Sequence, residues 1–367
     1  MEYTFQLEQL PSIPPSHSKS VQAGLAGAIS GIISETLVVA GGSNFPDSVP
    51  WMGGTKTYYN DVYLLHTNQP NSGWQISDYK LNEPLAYSSC ISLNNSIFCV
   101  GGENNEGLTD SVFQIKIENG RPEITTCTNY PVQIANGGIS SIGSEIFVVG
   151  GTGKFNSLSD FYSANTAKDS LVWEKLPNLP VALSHAVVLS QSDGNEQCIY
   201  VLGGRNKLNT LTDFYSAVWK YSPSKVLWEK CGDISMDKSQ PFALAAGTGI
   251  PFGENFIVLF GGDHGILFNK TEDFNHQISQ EKDQKKLEKL MHDKKAHLES
   301  HPGFNRHIFV YNTLDNTCLS TNQLPFAAQV TTTAVKSNDK VYIPNGEIKP
   351  GVRTPEVNCL KISLKNQ

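Results

Sequence analysis

Five apolar runs of this chain end in paired glycines: LVVAGG at Gly41 and Gly42, IFCVGG at Gly101 and Gly102, IFVVGG at Gly150 and Gly151, IYVLGG at Gly203 and Gly204, and IVLFGG at Gly261 and Gly262. A sixth run, VYIPNGE, carries Asn345 and Gly346 in the same place. Both residue types accept a left-handed backbone, so one backbone manoeuvre is made six times. The first glycines lie 60, 49, 53 and 58 residues apart, then 84 to Asn345, which leaves room for one large insertion before the sixth unit. Other features keep the same period. LSDFYSA and LTDFYSA put Asp160 and Asp213 ten residues after a first glycine, LVWEKLP and VLWEKC follow with Trp173 and Trp228, and a proline opens the next unit in EPLAYSS, YPVQIAN, LPVALSH, QPFALAA and LPFAAQV. One unit therefore reads as a strand after the proline, a strand into the glycines, a strand with an aromatic and a strand around tryptophan, which is a four-stranded antiparallel blade.

This pattern resembles the kelch repeat over nearly the whole chain, and the resemblance implies a β-propeller. The expectation is all-β: a six-bladed kelch-type β-propeller formed by residues 1–367 as a single unit. After Gly346 the chain supplies one more strand, EVNCLKISL, while YTFQLEQLP at residues 3–11 has no unit of its own. The N-terminal strand is thus expected to close the last blade and remove the free edges of an open ring. The insertion, 263–305, contains QEKDQKKLEKLMHDKKAHLES, whose Leu287, Leu290, Met291 and Leu298 sit at near-helical spacing. That predicts one amphipathic helix over about 276–299. Its mixed charge reads as a solvated helix packed on one propeller face, with a lid as the functional alternative.

Composition narrows the partners. No apolar run approaches the roughly 20 residues a spanning helix needs, so no membrane role is expected. A net charge of −7 supplies no basic stripe for nucleic acid. The start, MEYTFQLEQLPSIPP, lacks a basic n-region and an apolar core, and the expected location is cytoplasmic. Seven cysteines are scattered without CxxC spacing, which reads as reduced thiols rather than a metal site. Neither Walker, dinucleotide nor HExxH motifs occur, so neither a cofactor nor a metal is expected.

In a propeller, the loops after the second strands and those entering the first strands share one face near the axis, where grafted chemistry sits. The glycine pairs place Asn44, Glu103, Lys154, Arg205, Asp263, His264 and Glu347 there as candidates. Of four arginines, Arg205 and Arg353 fall in such loops; a guanidinium suits a small carboxylate, because its planar fork makes two charge-assisted bonds. The structural alternative is that both only neutralise acids on neighbouring blades. Phe45 and Trp51 are placed either to stack on a sugar or to pack the first-blade loop, and His185 reads as a hydrogen-bonded structural histidine. In NGEIKPGVRT, Pro350 and Gly351 fold the loop so that Arg353 returns to Glu347. A partly desolvated carboxylate beside a cation has the makings of a proton acceptor.

NGEIKPGVRT resembles the corresponding loop of the N-acetylneuraminate epimerases (sialic acid mutarotases), as do GGSNFPDSVPWMGGTKTYYNDVYLL (41 to 65) and GGDHGILFNKTEDF (261 to 274). The position of the loop in the last blade resembles the cyclically permuted branch of that family. The resemblance implies a cofactor-independent isomerase acting on a small sugar acid, with Glu347 as proton acceptor and Arg353 as its catalytic partner. Asn44, Arg205, Asp263, His264, Lys154 and Glu103 are then substrate-binding candidates. Two rivals stand beside it. A kelch interaction module would bind a protein segment at the channel mouth without needing the Glu347 and Arg353 pair. A sialidase would need an arginine triad, which the positions of Arg121 and Arg306 disfavour.

Overall fold

A computed structural model describes residues 2–16, 20–168, 170–207, 211–237 and 240–365. Six four-stranded antiparallel sheets form a six-bladed β-propeller. Blade 1 begins at Ile29, blade 2 at Ser89, blade 3 at Gly138, blade 4 at Val187, blade 5 at Thr248 and blade 6 at Val335. The innermost strands of neighbouring blades pack together, and six separate apolar clusters fill the wedges between successive blades. In the last wedge, for example, Leu37, Val39 and Leu65 of blade 1 meet Tyr342, Val357 and Cys359 of blade 6. The N-terminal strand Glu2–Gln9 pairs with Val357–Lys365 and becomes the outer strand of blade 6, as expected from the sequence.

The glycine pairs are explained by what passes beside them. The second residue donates its N–H to the next blade's carbonyl: Gly42 to Leu85, Gly102 to Ile134, Gly151 to Leu183, Gly204 to Leu244 and Gly346 to Leu25, all at 2.7–2.8 Å. The first glycine is left-handed, and a Cβ on Gly203 would stand 2.1 Å from the Leu244 carbonyl oxygen. A side chain on Gly203 would press on the backbone of the next blade. Asn345 keeps the left-handed turn with φ 56°.

A second ring lies nearer the axis. Gly27, Tyr87, Asn136, His185, Ala246 and Thr331, one per blade, are all left-handed, and each N–H donates to the carbonyl of another member. The six bonds, 2.7–3.0 Å long, close into a circle. On one side of this circle the first strands line a channel of about 380 Å³, rich in Ser and Thr. Glu347, Arg353 and Arg205 do not line it.

The insertion departs from the single helix expected over about 276–299. It forms two helices that pack on each other, α1 (Ile266–Gln280) and α2 (Gln284–Glu299). The break lies at Glu281–Asp283, where Glu281 turns extended and Asp283 caps α2 by accepting the Lys286 N–H at 3.0 Å. Asp at an N-cap satisfies a free amide that a continuous helix would not have exposed. Leu298 is buried, whereas Met291 is exposed. Helix α1 docks on blade 4: the Asn269 side chain bonds both backbone groups of Thr212, and Glu272 takes Thr212 Oγ1 and Lys207 Nζ.

None of the seven cysteines is bonded to another, and five are buried. Burial raises all of the thiols, Cys198 and Cys359 to about 12, which leaves little thiolate. Among the described residues no helix is long and apolar enough to cross a membrane.

Candidate functional site

The residue that follows each glycine pair bridges back to the entry of its own blade: Ser43 to Ala26, Glu103 to Ala86, Thr152 to Ala135, Arg205 to Ser184, Asp263 to Ala245 and Glu347 to Val330. Each of those entry residues directly precedes a member of the hub ring. The six residues thus form a rosette over the ring, on the side away from the Ser- and Thr-lined channel.

Glu347 and Arg353 face each other across a short hairpin, Glu347–Lys349 against Val352–Arg353. Cross-strand pairing puts their side chains together. Arg353 Nη1 lies 3.2 Å from Glu347 Oε1, with only 5% and 16% of the two side chains exposed. The same oxygen accepts the Gly351 N–H at 2.5 Å. Gly351 is left-handed at φ 72°, and a Cβ there would come within 2.6 Å of Pro50 Cδ. The turn is therefore seated against the Pro50–Met52 helical turn of blade 1, beside Trp51. Phe45 lies against the Arg353 guanidinium, 4.7 Å from ring centre to Cζ. Both aromatics thus pack this loop.

Burial lifts the Glu347 carboxyl above its ordinary value; Arg353, the Gly351 amide, Arg205 and Lys56 pull it down without cancelling that rise. Desolvation makes the ion a stronger base, while the cations keep it reachable.

Arg205 lies deep in the same face, with Nη2 3.1 Å from His185 Nε2 and its guanidinium 4.6 Å from the Phe268 ring of α1. Burial lowers its proton affinity, and Asp263, Glu272 and Glu347 oppose that. The His185 imidazole is held well below its usual range by burial and by Arg205, so it is neutral. The sequence pointed to a structural histidine here; it gave no sign that the partner would be Arg205, because the two meet only across the entry and exit of blade 4.

The remaining candidates divide. Glu103 bonds Lys56 Nζ at 2.9 Å and the Tyr58 hydroxyl. Lys56 also lies over the Tyr58 and Tyr87 rings. Burial opposes the Lys56 charge, but Tyr87 and Glu103 outweigh it and the ammonium is strengthened. Lys56 and Tyr58 were not among the candidates read from the sequence; their signal was their place beyond the first glycine pair, Tyr58 in the strand opposite Ser43 and Asn44 and Lys56 just before it. Asp263 accepts the Gly265 N–H at 2.9 Å, and His264 stands edge-on to Phe242, with ring centres 5.8 Å apart. Asn44 is buried with both amide atoms engaged, Nδ2 to the Gly24 carbonyl and Oδ1 from the Tyr59 hydroxyl, each at 2.8 Å. Those bonds fix the loop and leave one N–H and one oxygen lone pair of the amide. Lys154 is exposed in the 152–157 turn, over its neighbour Phe155. Among the described residues no group of three or more His, Cys, Asp or Glu has the geometry to hold a metal.

Comparison with known proteins places this geometry in context. Residues 2–124 and 128–367 match the family model of N-acetylneuraminate epimerase. Proteins named N-acetylneuraminate epimerase are similar to this chain: that of Salmonella typhimurium strain LT2 at 29% identity over 234 residues, 63% of this chain and 57% of the relative. That of Salmonella enteritidis PT4 is 30% identical over 63% of this chain and 56% of its own length. The Haemophilus influenzae strain PittEE protein is 26% identical over 249 residues, 65% and 60% of the two chains. The similar region thus spans less than two thirds of these relatives. With nearly its whole length matched by the family model, the chain belongs to the N-acetylneuraminate epimerase family.

Proposed function

We propose that this chain interconverts the α and β anomers of N-acetylneuraminate by acid–base opening and reclosure of the sugar ring. The observation that carries the reading is the Glu347–Arg353 pair, a buried carboxylate of raised proton affinity held by a guanidinium at the propeller hub. The names of the relatives supply the substrate.

Glu347 takes the proton of the anomeric hydroxyl. The electrons of that O–H bond form the keto carbonyl as the bond from the anomeric carbon to the ring oxygen breaks, and the ring oxygen takes a proton from water, so one proton leaves the substrate and one returns to it. Rotation about the adjacent carbon–carbon bond presents the other carbonyl face, and reversal of the same transfers closes the ring. Both anomers have the same oxidation state, so the reaction consumes no redox equivalent. Arg353 and the Gly351 N–H orient the Glu347 carboxylate and leave Oε2 for the substrate. A positioned proton transfer contributes about 10²- to 10⁴-fold, enough to accelerate a reaction that water already supports slowly.

Saturation-exchange NMR between the two anomers tests the reading. Wild type is expected to exchange them faster than buffer, and Glu347→Gln to lose that acceleration. An inactive wild type would return the chain to the alternative, a module binding a protein segment at the channel mouth. A fully active Glu347→Gln would remove this residue from the chemistry.

A further inference from the structure

If the substrate is a sugar acid, as that reading holds, some group must take its carboxylate, and the hub offers two guanidiniums. Arg353 already has a carboxylate for its charge, Glu347 at Nη1, although its Nε is buried with no hydrogen-bond partner. Arg205 forms no ion pair among the described residues, and each acid whose charge acts on it is engaged elsewhere. Asp263 accepts from the Gly265 N–H at 2.9 Å; Glu272 takes Lys207 Nζ at 2.7 Å and Thr212 Oγ1 at 2.8 Å; Glu347 holds Arg353 and Gly351.

Arg205 is held instead by neutral groups. Because Nη2 donates to His185 Nε2, the imidazole proton sits on Nδ1 and is donated to Ser184 Oγ at 3.0 Å. Ser184 Oγ donates in turn to Arg205's own carbonyl at 3.4 Å, so the chain of bonds returns to the residue where it began. Phe268 of α1 and Phe214 flank the guanidinium, 4.6 and 5.9 Å from Cζ to ring centre. His185 is itself a member of the hub ring: its N–H is bonded to the Asn136 carbonyl at 3.0 Å, and its carbonyl accepts from Ala246 at 2.8 Å. The imidazole therefore hangs from backbone fixed on both sides.

We infer that Arg205 is the anchor for the substrate's carboxylate and that His185 is the positioning residue that aims it, with Phe268 of α1 as the apolar wall behind. A guanidinium held by a carboxylate is already neutralised; one held by a neutral imidazole keeps its charge for an incoming anion, and its planar fork accepts a carboxylate in two bonds. The carboxylate and the anomeric hydroxyl of a 2-keto sugar acid leave the same carbon. Arg205 and Glu347 hold equivalent places in the rosette over the hub ring, each bridging back to the entry of its own blade, so one substrate lying across the ring can engage both.

The test compares N-acetylneuraminate with its methyl ester, which keeps the anomeric centre and loses the anion. Wild type is expected to prefer the acid in kcat/KM by about 10- to 100-fold, the worth of one bidentate charge-assisted contact. Arg205→Met should collapse that ratio towards one, and Arg205→Lys, which keeps the charge and guards against misfolding, should give an intermediate ratio. His185→Asn, which tolerates the left-handed backbone but is too short to reach Arg205, should lower the ratio mainly through KM. His185→Gln, whose side-chain carbonyl can accept from the guanidinium, should restore part of it. A folded Arg205→Met that keeps the wild-type ratio overturns the anchor, and a His185→Asn ratio equal to wild type overturns the positioning role. If wild type accelerates neither substrate, the mutarotase reading falls by itself. Equilibrium binding of acid and ester, followed by saturation-transfer NMR, then still decides the anchor: tighter binding of the acid that Arg205→Met abolishes supports it, and equal binding or none refutes it.

Discussion

Replacing Glu347 by Gln should damage activity and improve stability at once. The Gln side chain keeps an oxygen where Oε1 accepts from Gly351 and Arg353, so the hairpin retains its bonds, while the negative charge is gone. Loss of the proton acceptor should lower the catalysed exchange by about 10²- to 10⁴-fold, or roughly 2.7 to 5.4 kcal/mol in barrier. Stability moves the other way because burial raises the Glu347 carboxyl in the folded state despite Arg353. A carboxyl whose folded value lies above its unfolded value contributes stability below the unfolded value, and that contribution is lost as pH rises through the folded one. Each unit of that rise is worth about 1.4 kcal/mol. The variant has no such titration, so it should match wild type in acid and exceed it progressively above the ordinary carboxylate range. Glu347→Leu is the contrast: it leaves Arg353 and the Gly351 N–H buried without a partner and should cost about 3–5 kcal/mol. Urea unfolding of the three proteins at pH 4 and pH 8, with anomer exchange measured alongside, reads both effects. Were Glu347→Gln less stable than wild type at pH 8 by more than about 1 kcal/mol, Arg353 would be outweighing desolvation and the account of a strained base would be wrong.

Three further outcomes follow from the geometry. The acid limb of kcat/KM should fall as pH drops through the raised Glu347 value; a limb at or below the ordinary carboxylate range would show that another group is titrating. Gly351→Ala adds a Cβ 2.6 Å from Pro50 Cδ at φ 72°, and should cost about 1–3 kcal/mol in urea unfolding while displacing the hairpin and depressing exchange; unchanged stability and rate would mean the turn is not held by blade 1. Deleting the strand Glu2–Gln9 exposes the edge of Val357–Lys365 and should give a protein that aggregates on heating, followed by light scattering; a soluble variant with the wild-type Tm would contradict the closure of blade 6.

How much of this was legible in the sequence depends on how local each feature is. The two-helix insertion was only half visible, because Leu287, Leu290, Met291 and Leu298 all lie in α2, beyond the cap at Asp283, while α1 is fixed by Asn269 bonding the Thr212 backbone of blade 4, 57 residues away in sequence. Asn44 was read from its loop as a ligand group; that its amide also braces the loop through Gly24 and Tyr59, 20 and 15 residues away, is a contact no local pattern announces. Lys56 and Tyr58 escaped notice for a related reason, since their importance comes from Glu103 on the next blade.

The sequence by itself determined the six blades, the closure by the N-terminal strand and the return of Arg353 to Glu347. Each of these follows from a backbone need or a pairing repeated within a short stretch, where spacing is geometry. Only the tertiary structure decided which guanidinium is paired with a carboxylate and which is held by a neutral imidazole. That choice rests on contacts between the entry and exit of blade 4, with helix α1 and across the hub, and the sum of burial and neighbouring charge exists only once the ring has closed.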